Sequence, residues 1–178
     1  DLKLKLFNLP AGNWAEGDRG VAVEPTRKEE FNKGIGKAIE AAKLLGVNRV
    51  NCLVGKVVGN YEEEQIMTNL IEPINHFDMP GFYLNTTTQV VEIINKLGRA
   101  NVYLQYDIYH AEREGEDHEM ILREYFSSIG HVQVADNPGR NEPGTGVIKV
   151  KHLLDTLNNR GYKGYIGLEY KPTGNTVD

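Results

Sequence analysis

Four polar residues each interrupt or follow an apolar run, at the place where a buried strand would end. In parallel α/β folds the carboxyl ends of the strands meet at one rim, and ligands bind there. We therefore expect these side chains to converge on a single site. The four residues are Glu72, Asp107, Gln133 and Glu169.

Three carboxyl groups and one amide at such a rim predict a divalent metal site. An isolated buried carboxylate is unfavourable, and converging carboxylates raise one another's pKa unless a cation compensates their charge. Carboxylate and amide oxygens are hard ligands, suited to Mg²⁺ or Mn²⁺ rather than to a thiolate-bound zinc. For one acid alone, a helix cap or an ion pair with a lysine is the simpler interpretation. Four such residues on successive strand ends favour the metal.

The segments around these residues alternate between strand and helix, which predicts parallel strands joined by crossover helices. Two capping boxes mark helix starts, one at Thr26 with Glu29 and one at Thr86 with Gln89. The predicted strands are Leu2–Asn8, Val47–Val54, Asn101–Asp107, His131–Ala135 and Tyr165–Tyr170. The predicted helices run from Thr26 to Gly46, from Thr86 to Gly98, from about Asp117 to Ile129, and over Val150–Asn159.

One junction lacks the room that this architecture needs. A helix-like segment, Tyr61–Leu70, runs directly into Ile71-Glu72-Pro73, yet a parallel crossover requires a turn and a strand between them. We expect residues to be missing at the junction of Leu70 and Ile71, and also before Asp1. The 178 residues form a single domain, shorter than the roughly 250 of a full eight-unit barrel.

Composition excludes several classes of partner. A net charge of −5 gives no basic surface for nucleic acid or acidic membranes. No apolar run approaches the roughly 20 residues of a membrane helix, and Asp1–Lys5 is not typical of a signal peptide. The single cysteine, Cys52, excludes an internal disulfide and fits a reducing compartment. We expect a cytoplasmic protein.

The motifs around the four rim residues resemble those of the hydroxypyruvate isomerase family, in the xylose-isomerase-like barrel superfamily. The resemblance covers nearly the whole chain and implies a (β/α)8 barrel that is incomplete here. The first strand–helix unit and a helix–strand stretch before Ile71 are absent. The motifs are Ile71-Glu72-Pro73-Ile74-Asn75, Gln105-Tyr106-Asp107-Ile108-Tyr109-His110, His131-Val132-Gln133-Val134-Ala135-Asp136 and Gly167-Leu168-Glu169-Tyr170-Lys171-Pro172.

The resemblance also implies a reaction, which would interconvert hydroxypyruvate and 2-hydroxy-3-oxopropanoate (tartronate semialdehyde) through an enediolate. Glu72 and Glu169 would be both metal ligands and the acid/base pair, with Asp107 and Gln133 completing the ligand set. The metal would stabilise the developing negative charge. No organic cofactor is expected, because the reaction involves no net redox change.

Three further residues are candidates for substrate binding. His110 follows Asp107 by three residues, and the resemblance implies contact with substrate oxygens; a histidine bonded to a loop carbonyl is the alternative. Arg140, in the loop Asn137–Gly146, would suit a substrate carboxylate through a bidentate contact, unless it is solvated. Lys56 ends a strand and could also meet the carboxylate, although a surface lysine is the simpler interpretation.

Other functions fit less well. A 2-oxo-tetronate isomerase or a ketose 3-epimerase of the same superfamily is the alternative within the class. Gln133 argues against the epimerases, which have a histidine ligand at that place, and Asn75–Pro80 is less similar to tetronate isomerases. A metal-dependent DNA endonuclease would need more histidine ligands and a basic groove. A non-catalytic sugar-acid-binding barrel would be expected to lose one of the two glutamates.

We expect a small hydroxy-keto acid as substrate, no nucleic acid or membrane partner, and the homo-oligomers common among such barrels.

Overall fold

Six short strands form one parallel sheet in the computed structural model, which describes residues 3–56 and 70–175. Each strand pairs with the next strand along the chain, and the sheet curls into part of a barrel. This order confirms the predicted parallel α/β barrel. The strands are β1 (Phe7–Asn8), β2 (Val50–Cys52), β3 (Leu70–Ile71), β4 (Tyr103–Asp107), β5 (Ile129–Val134) and β6 (Ile166–Leu168).

Five α-helices accompany the sheet in the described part of the chain. The second begins at the predicted capping box: the Gln89 backbone N–H donates to the Thr86 hydroxyl, and the Gln89 side chain accepts from the Thr86 N–H. It ends, as predicted, at Gly98 in the left-handed conformation. The helices are α1 (Lys28–Leu45), α2 (Thr87–Leu97), α3 (Ile108–Arg113), α4 (His118–Glu124) and α5 (Val150–Asn159).

The other capping box was predicted wrongly. Thr26 lies inside a 3-10 turn, Pro25–Arg27, and its hydroxyl donates to Glu24 rather than capping a helix. Proline is favoured in the first turn of a helix, and Pro25 accordingly begins the 3-10 turn, one residue before Thr26. The α-helix therefore starts at Lys28, without a side-chain cap. Its predicted end at Gly46 is confirmed.

The helix predicted from Asp117 to Ile129 is too long. Asp117 caps α4 through its carboxylate, but the helix ends at Glu124, and Phe126–Ser128 forms a separate 3-10 turn. Ile129 is the first residue of β5, where it pairs with Leu104 of β4. Pairing of Ile129 with β4 thus places the end of the predicted helix in the sheet. The short helix α3 was not predicted.

The strands β1, β2, β4 and β6 are shorter than predicted, whereas β5 starts two residues earlier than expected and ends one residue earlier. The predicted helix Tyr61–Leu70 lies outside the described residues except for Leu70. That residue is in β3, so the helix prediction is wrong there.

The apolar core lies between the sheet and the helices that cover it. Fully buried side chains of α2, α4 and α5 pack with those of the central strands, which fixes the strand ends that carry the polar rim residues. None of the helices in residues 3–56 and 70–175 is long and apolar enough to cross a lipid bilayer. Representative core residues are Val90, Ile93, Leu104, Ile121, Leu122, Val132, Leu153 and Leu157.

Candidate active site

Glu72 follows β3 directly and is 4% exposed. Its Oε2 accepts a hydrogen bond of 2.8 Å from Nδ2 of Asn51, a buried residue of β2. The same Asn51 nitrogen donates to the side-chain oxygen of Asn8 on β1, at 3.1 Å. Neighbouring strands thus hold the Glu72 carboxyl inside the curl of the sheet, at the rim predicted from the sequence.

Asp107 is both the last residue of β4 and the N-cap of α3. Its Oδ1 accepts a hydrogen bond of 2.9 Å from the Tyr109 backbone N–H, which is why its side chain turns toward the rim. Its Oδ2 is buried and accepts no hydrogen bond from any described residue. Nε2 of His110 lies 3.7 Å from that oxygen, and Nη2 of Arg140 lies 3.8 Å from it. This oxygen therefore lies between the imidazole of His110 and the guanidinium of Arg140 without a hydrogen bond from either.

Gln133 and Glu169 lie side by side on β5 and just beyond β6. Gln133 is paired with Gly167 across the two strands, and its Nε2 donates to Oε2 of Glu169 at 2.8 Å. Oε1 of Glu169 is 3.4 Å from Nη2 of Arg140. The Glu169 side chain is about half exposed, at 52%, unlike the buried Glu72 and Asp107. One face of this carboxylate is therefore open to an incoming molecule.

Gln105 joins the two halves of the site, and sequence analysis did not single it out. It is 1% exposed, its Nε2 donates to Oε1 of Gln133 at 2.5 Å, and its side chain also hydrogen-bonds Glu72. The signal was present in the sequence. Gln105 lies two residues before Asp107 in a strand, so both side chains point to the same face. Side-chain amides thus connect Glu72 with Glu169.

The electrostatics are those of acids crowded together away from water. Burial, with the charges of Asp107 and Glu169, raises the pKa of Glu72 to about 8, although hydrogen bonds from Asn51 and Gln105 oppose the shift. Burial also raises the pKa of Asp107 to about 7, against the opposing charge of Arg140. A bound cation would reverse both shifts, because it favours the ionised carboxylates.

The oxygen atoms of this site fit a hard divalent cation. Buried side-chain oxygens of Asn51, Gln105 and Asp107 accept no hydrogen bond from the described residues, and such atoms are unfavourable unless a water or an ion meets them. Ligand atoms of Glu72, Asp107 and His110 lie within 4.8 Å of one another, close enough to hold a metal ion. Oxygen ligands predominate, as Mg²⁺ and Mn²⁺ prefer.

His110 is buried in α3, beside Asp107. Its Nδ1 lies 3.3 Å from the backbone nitrogen and 2.6 Å from the side-chain nitrogen of Asn75, rather than contacting a loop carbonyl. Burial, helped by the charge of Arg140, lowers the pKa of His110 to about 3. The ring is therefore neutral at physiological pH, and its Nε2 faces Asp107.

Arg140 lies on a loop that Asp136 organises. The Asp136 carboxylate accepts backbone hydrogen bonds from Gly144 at 2.7 Å and from Ile148 at 3.1 Å. Burial alone would raise the pKa of Asp136, but these N–H groups lower it. Arg140 itself has φ 56°, in the left-handed region, and its carbonyl accepts from the Lys171 N–H at 2.6 Å. The loop is thus tied to the segment that follows Glu169, and the guanidinium bridges Asp107 and Glu169.

Lys56 is not brought into this cluster. It is exposed, it forms an isolated bridge with Phe82, and no contact in residues 3–56 and 70–175 joins it to the four candidate ligands. The structure thus brings together the predicted residues other than Lys56, and adds Asn51, Asn75 and Gln105 to them.

Comparisons with known proteins support the fold and identify the family. A family model described as the xylose isomerase-like TIM barrel matches residues 67–178. Hydroxypyruvate isomerase of Escherichia coli is 43% identical, covering 98% of this chain and 75% of the relative. A 2-oxo-tetronate isomerase of Cupriavidus necator is 35% identical, covering 96% of this chain and 73% of the relative.

Solved structures support the same fold. A Brucella melitensis protein described as an AP endonuclease of family 2 superposes with a TM-score of 0.92 at 30% identity, covering 98% of this chain and 75% of that one. An L-ribulose 3-epimerase superposes with a TM-score of 0.68 at 24% identity, covering 93% of this chain and 60% of that one. At this identity the likeness supports the fold alone.

The length of the alignment bears on the suspected gap. The match to the Escherichia coli protein spans 194 positions, more than the 178 residues of this chain. The relative therefore has residues within the aligned range that this chain lacks, in agreement with the segment expected to be missing. The chain belongs to the xylose isomerase-like TIM barrel family and, within it, to the hydroxypyruvate isomerase family.

Proposed function

We propose that this protein is a metal-dependent isomerase that interconverts hydroxypyruvate and 2-hydroxy-3-oxopropanoate. The observation that carries the proposal is the pair of glutamates, Glu72 and Glu169, linked through side-chain amides around one cluster of buried oxygens. The 43% identity to a hydroxypyruvate isomerase supports this choice of substrate. The single buried cysteine, Cys52, supports a location in the reducing cytoplasm.

The ligand set that we propose for Mg²⁺ or Mn²⁺ consists of Glu72, Asp107, Gln133 and Glu169. A cation bound there would stabilise the negative charge that develops on the substrate oxygens. His110 is a weaker candidate for the ligand set, because Asn75 donates to its Nδ1. Gln105 and Asn51 would orient the ligand side chains through the hydrogen bonds described above.

The two glutamates would perform the proton transfers. One carboxylate removes a proton from C3 of hydroxypyruvate, giving an enediolate of the substrate. The carboxyl group of the other glutamate delivers a proton to C2, while the hydroxyl proton on O3 is given up and O2 gains one. Atoms and electrons balance without an oxidant or a reductant. A positioned acid or base contributes about 10²–10⁴-fold to such a step.

Arg140 would bind the substrate carboxylate. Its guanidinium is 19% exposed, its Nη2 already lies near two carboxylates, and its Nε is buried without a hydrogen-bond partner among the described residues. A planar guanidinium matches a carboxylate through two parallel hydrogen bonds. The aromatic ring of Tyr109 lies 5.2 Å from the guanidinium carbon, which limits its orientations.

Replacing Arg140 with methionine is expected to raise KM for hydroxypyruvate by about 10- to 100-fold, since a hydrogen bond to a charged group contributes about 1.5–3 kcal/mol. Arg140→Lys keeps the charge but loses the fork geometry, so we expect an intermediate KM. Steady-state kinetics at saturating metal would measure both. Arg123→Met, at an exposed arginine paired with Glu124, is the matched control and should leave KM unchanged. An unchanged KM in Arg140→Met would exclude the carboxylate contact.

A 2-oxo-tetronate is the alternative substrate, because a 2-oxo-tetronate isomerase is 35% identical over 96% of this chain. Such a molecule shares the carboxylate and the adjacent carbonyl but has one more hydroxylated carbon. We expect the protein, assayed with Mg²⁺ or Mn²⁺, to give a higher kcat/KM on hydroxypyruvate than on 2-oxo-tetronates or ketoses. A higher kcat/KM on a tetronate or a ketose would show that hydroxypyruvate is not the preferred substrate, but the protein would still be an isomerase of this reaction class.

Abasic DNA should be tested in the same assays, because the similar Brucella melitensis structure is described as an AP endonuclease. A nuclease must neutralise phosphates, and its affinity depends on Lys and Arg side chains. This chain has a net charge of −5, and its site is built around carboxyl groups. We therefore expect no cleavage of abasic DNA, and cleavage at a rate matching isomerisation would contradict the proposal.

A further inference from the structure

The two ring nitrogens of His110 meet different surroundings. Nδ1 lies 3.3 Å from the backbone nitrogen of Asn75 with hydrogen-bonding geometry. A backbone N–H can only donate, so Nδ1 accepts in this structure, and a neutral ring then carries its proton on Nε2. Nε2 lies 3.7 Å from Oδ2 of Asp107, a buried oxygen that accepts no hydrogen bond from the described residues. The protonated nitrogen is therefore the one that faces the candidate site.

The side chain of Asn75 reinforces this tautomer. Its nitrogen lies 2.6 Å from Nδ1 of His110, and Asp78 determines that the nitrogen rather than the oxygen faces the ring. The Asp78 backbone N–H donates to Oδ1 of Asn75 at 2.8 Å, and Oδ2 of Asp78 accepts from Nδ2 of Asn75 at 3.1 Å. With the amide turned over, its NH2 group would face the Asp78 N–H and its oxygen would face the Asp78 carboxylate, so the orientation is fixed.

Asp78 is itself held in place from α3. The Tyr109 hydroxyl donates to Oδ2 of Asp78 at 2.7 Å, so the residue before His110 anchors the carboxylate that orients Asn75. Asn75 is fully buried, so its contact with His110 is shielded from bulk water. These contacts link the segment after β3 to the first turn of α3.

We propose that Asn75 and Asp78 are positioning residues that hold His110 with its proton on Nε2, so that this N–H is a fixed hydrogen-bond donor to an oxygen of the bound substrate. The role toward substrate rests on the proposed function, whereas the tautomer does not. A protonated Nε2 has no lone pair for a metal ion, so His110 acts on the substrate rather than as a ligand.

The tautomer matters because charge develops on the substrate oxygens during the reaction. A donor that is already aimed at such an oxygen stabilises that charge without rearrangement. The opposite tautomer would present a lone pair to the same oxygen and would repel it. Removing a single donor of this kind costs about 10²–10³-fold in kcat.

An exchange of the two side chains tests the inference, namely the double substitution Asn75→Asp with Asp78→Asn. The exchange keeps the net charge and the number of side-chain groups, but it places a carboxylate, which can only accept, against Nδ1. The carboxylate takes the short contact at 2.6 Å, whereas the backbone N–H at position 75 lies farther away at 3.3 Å. We therefore expect Nδ1 to become protonated and Nε2 to lose its proton. Nitrogen-15 NMR of histidine-labelled protein reads the protonation of each ring nitrogen, and His110→Asn identifies the signal among the five histidines.

In the unsubstituted protein, with and without added metal, we expect an unprotonated Nδ1 and a protonated Nε2. In the exchanged protein we expect the reverse, with kcat on hydroxypyruvate lowered about 10²–10³-fold and a smaller change in KM. Asn85→Ala, which removes a nearby contact to the Ile74 carbonyl, is the control and should leave the His110 ring spectrum unchanged.

Two results would overturn the inference: a protonated Nδ1 in the neutral ring of the unsubstituted protein, or an Nδ1 that stays unprotonated after the exchange. Full kcat in a protein whose Nε2 has lost its proton would exclude the donor role. If the unsubstituted protein does not isomerise hydroxypyruvate while the ring spectra are as expected, the proposed substrate is wrong and the positioning role still holds.

If the exchanged protein does not fold, Asn75→Ala can be measured instead. Only the longer backbone contact then remains, and a detectable Nδ1-protonated fraction is expected; its absence would exclude the role of Asn75.

Discussion

Replacing either Glu72 or Glu169 with glutamine is expected to lower kcat on hydroxypyruvate by at least about 10²–10⁴-fold. Glutamine preserves the shape of the side chain and most of its hydrogen bonds, but it can neither take nor give the proton. Each glutamate has a separate proton transfer to perform, so neither can replace the other. Steady-state kinetics at saturating Mg²⁺ or Mn²⁺ would measure the loss.

The control is Glu124→Gln. Glu124 is an exposed glutamate at the end of α4 that pairs with Arg123, and this variant should retain full kcat. Stability separates the two site variants from each other. Glu72 is buried, so its substitution should change the free energy of unfolding, whereas the half-exposed Glu169 should have little effect. A variant of either glutamate that keeps kcat within about threefold would exclude that residue from the proton transfers.

The metal-free protein is expected to lose stability as the pH rises from about 5 to about 8. In the folded state burial raises the pKa of Glu72 to about 8 from its usual 4.5, so the folded protein binds more protons than the unfolded chain in this range. Stability is therefore fully retained below the unfolded pKa and is lost as the pH approaches the folded one. Asp107, raised to about 7, acts in the same direction. Each pKa unit corresponds to about 1.4 kcal/mol, so we expect a total loss of several kcal/mol.

Urea unfolding in the presence of a chelator at several pH values would measure this slope. Glu72→Gln should flatten it, because the variant has no proton to lose at that position. Added Mg²⁺ or Mn²⁺ should stabilise the protein strongly near pH 8 and weakly near pH 5, since the ligands must be ionised to bind the cation. A metal-free protein whose stability rises over this range, or a metal effect independent of pH, would contradict the proposed ligand set.

Which parts of the site the sequence could predict depends on strand geometry. Glu72, Asp107, Gln133 and Glu169 each end an apolar run, and parallel strands bring such positions to one rim whatever the exact strand limits. The predicted convergence of these residues is therefore correct even though several strands are shorter than expected. Arg140 was predicted from its loop and from the resemblance, and the loop contacts made by Asp136 explain how it reaches Asp107 and Glu169.

Other parts depend on contacts between distant segments, which local patterns do not show. Asn75 and His110 are 35 residues apart, and only the folded chain shows that Asn75 donates to the histidine ring. Gln105 was visible as a polar residue in an apolar strand, yet its link from Glu72 to Gln133 depends on three strands together. The predicted helix extended too far because Ile129 pairs with the sheet, a contact that local helix propensity does not show.

The most direct test of metal-dependent isomerisation is to follow hydroxypyruvate by proton NMR in deuterated water, with chelator and then with excess Mg²⁺ or Mn²⁺. With metal we expect 2-hydroxy-3-oxopropanoate to form and solvent deuterium to enter at the carbon that receives the returned proton. With chelator we expect neither. Isomerisation at the same rate in both conditions would contradict the role of the metal, and absence of turnover with metal bound would exclude hydroxypyruvate as the substrate.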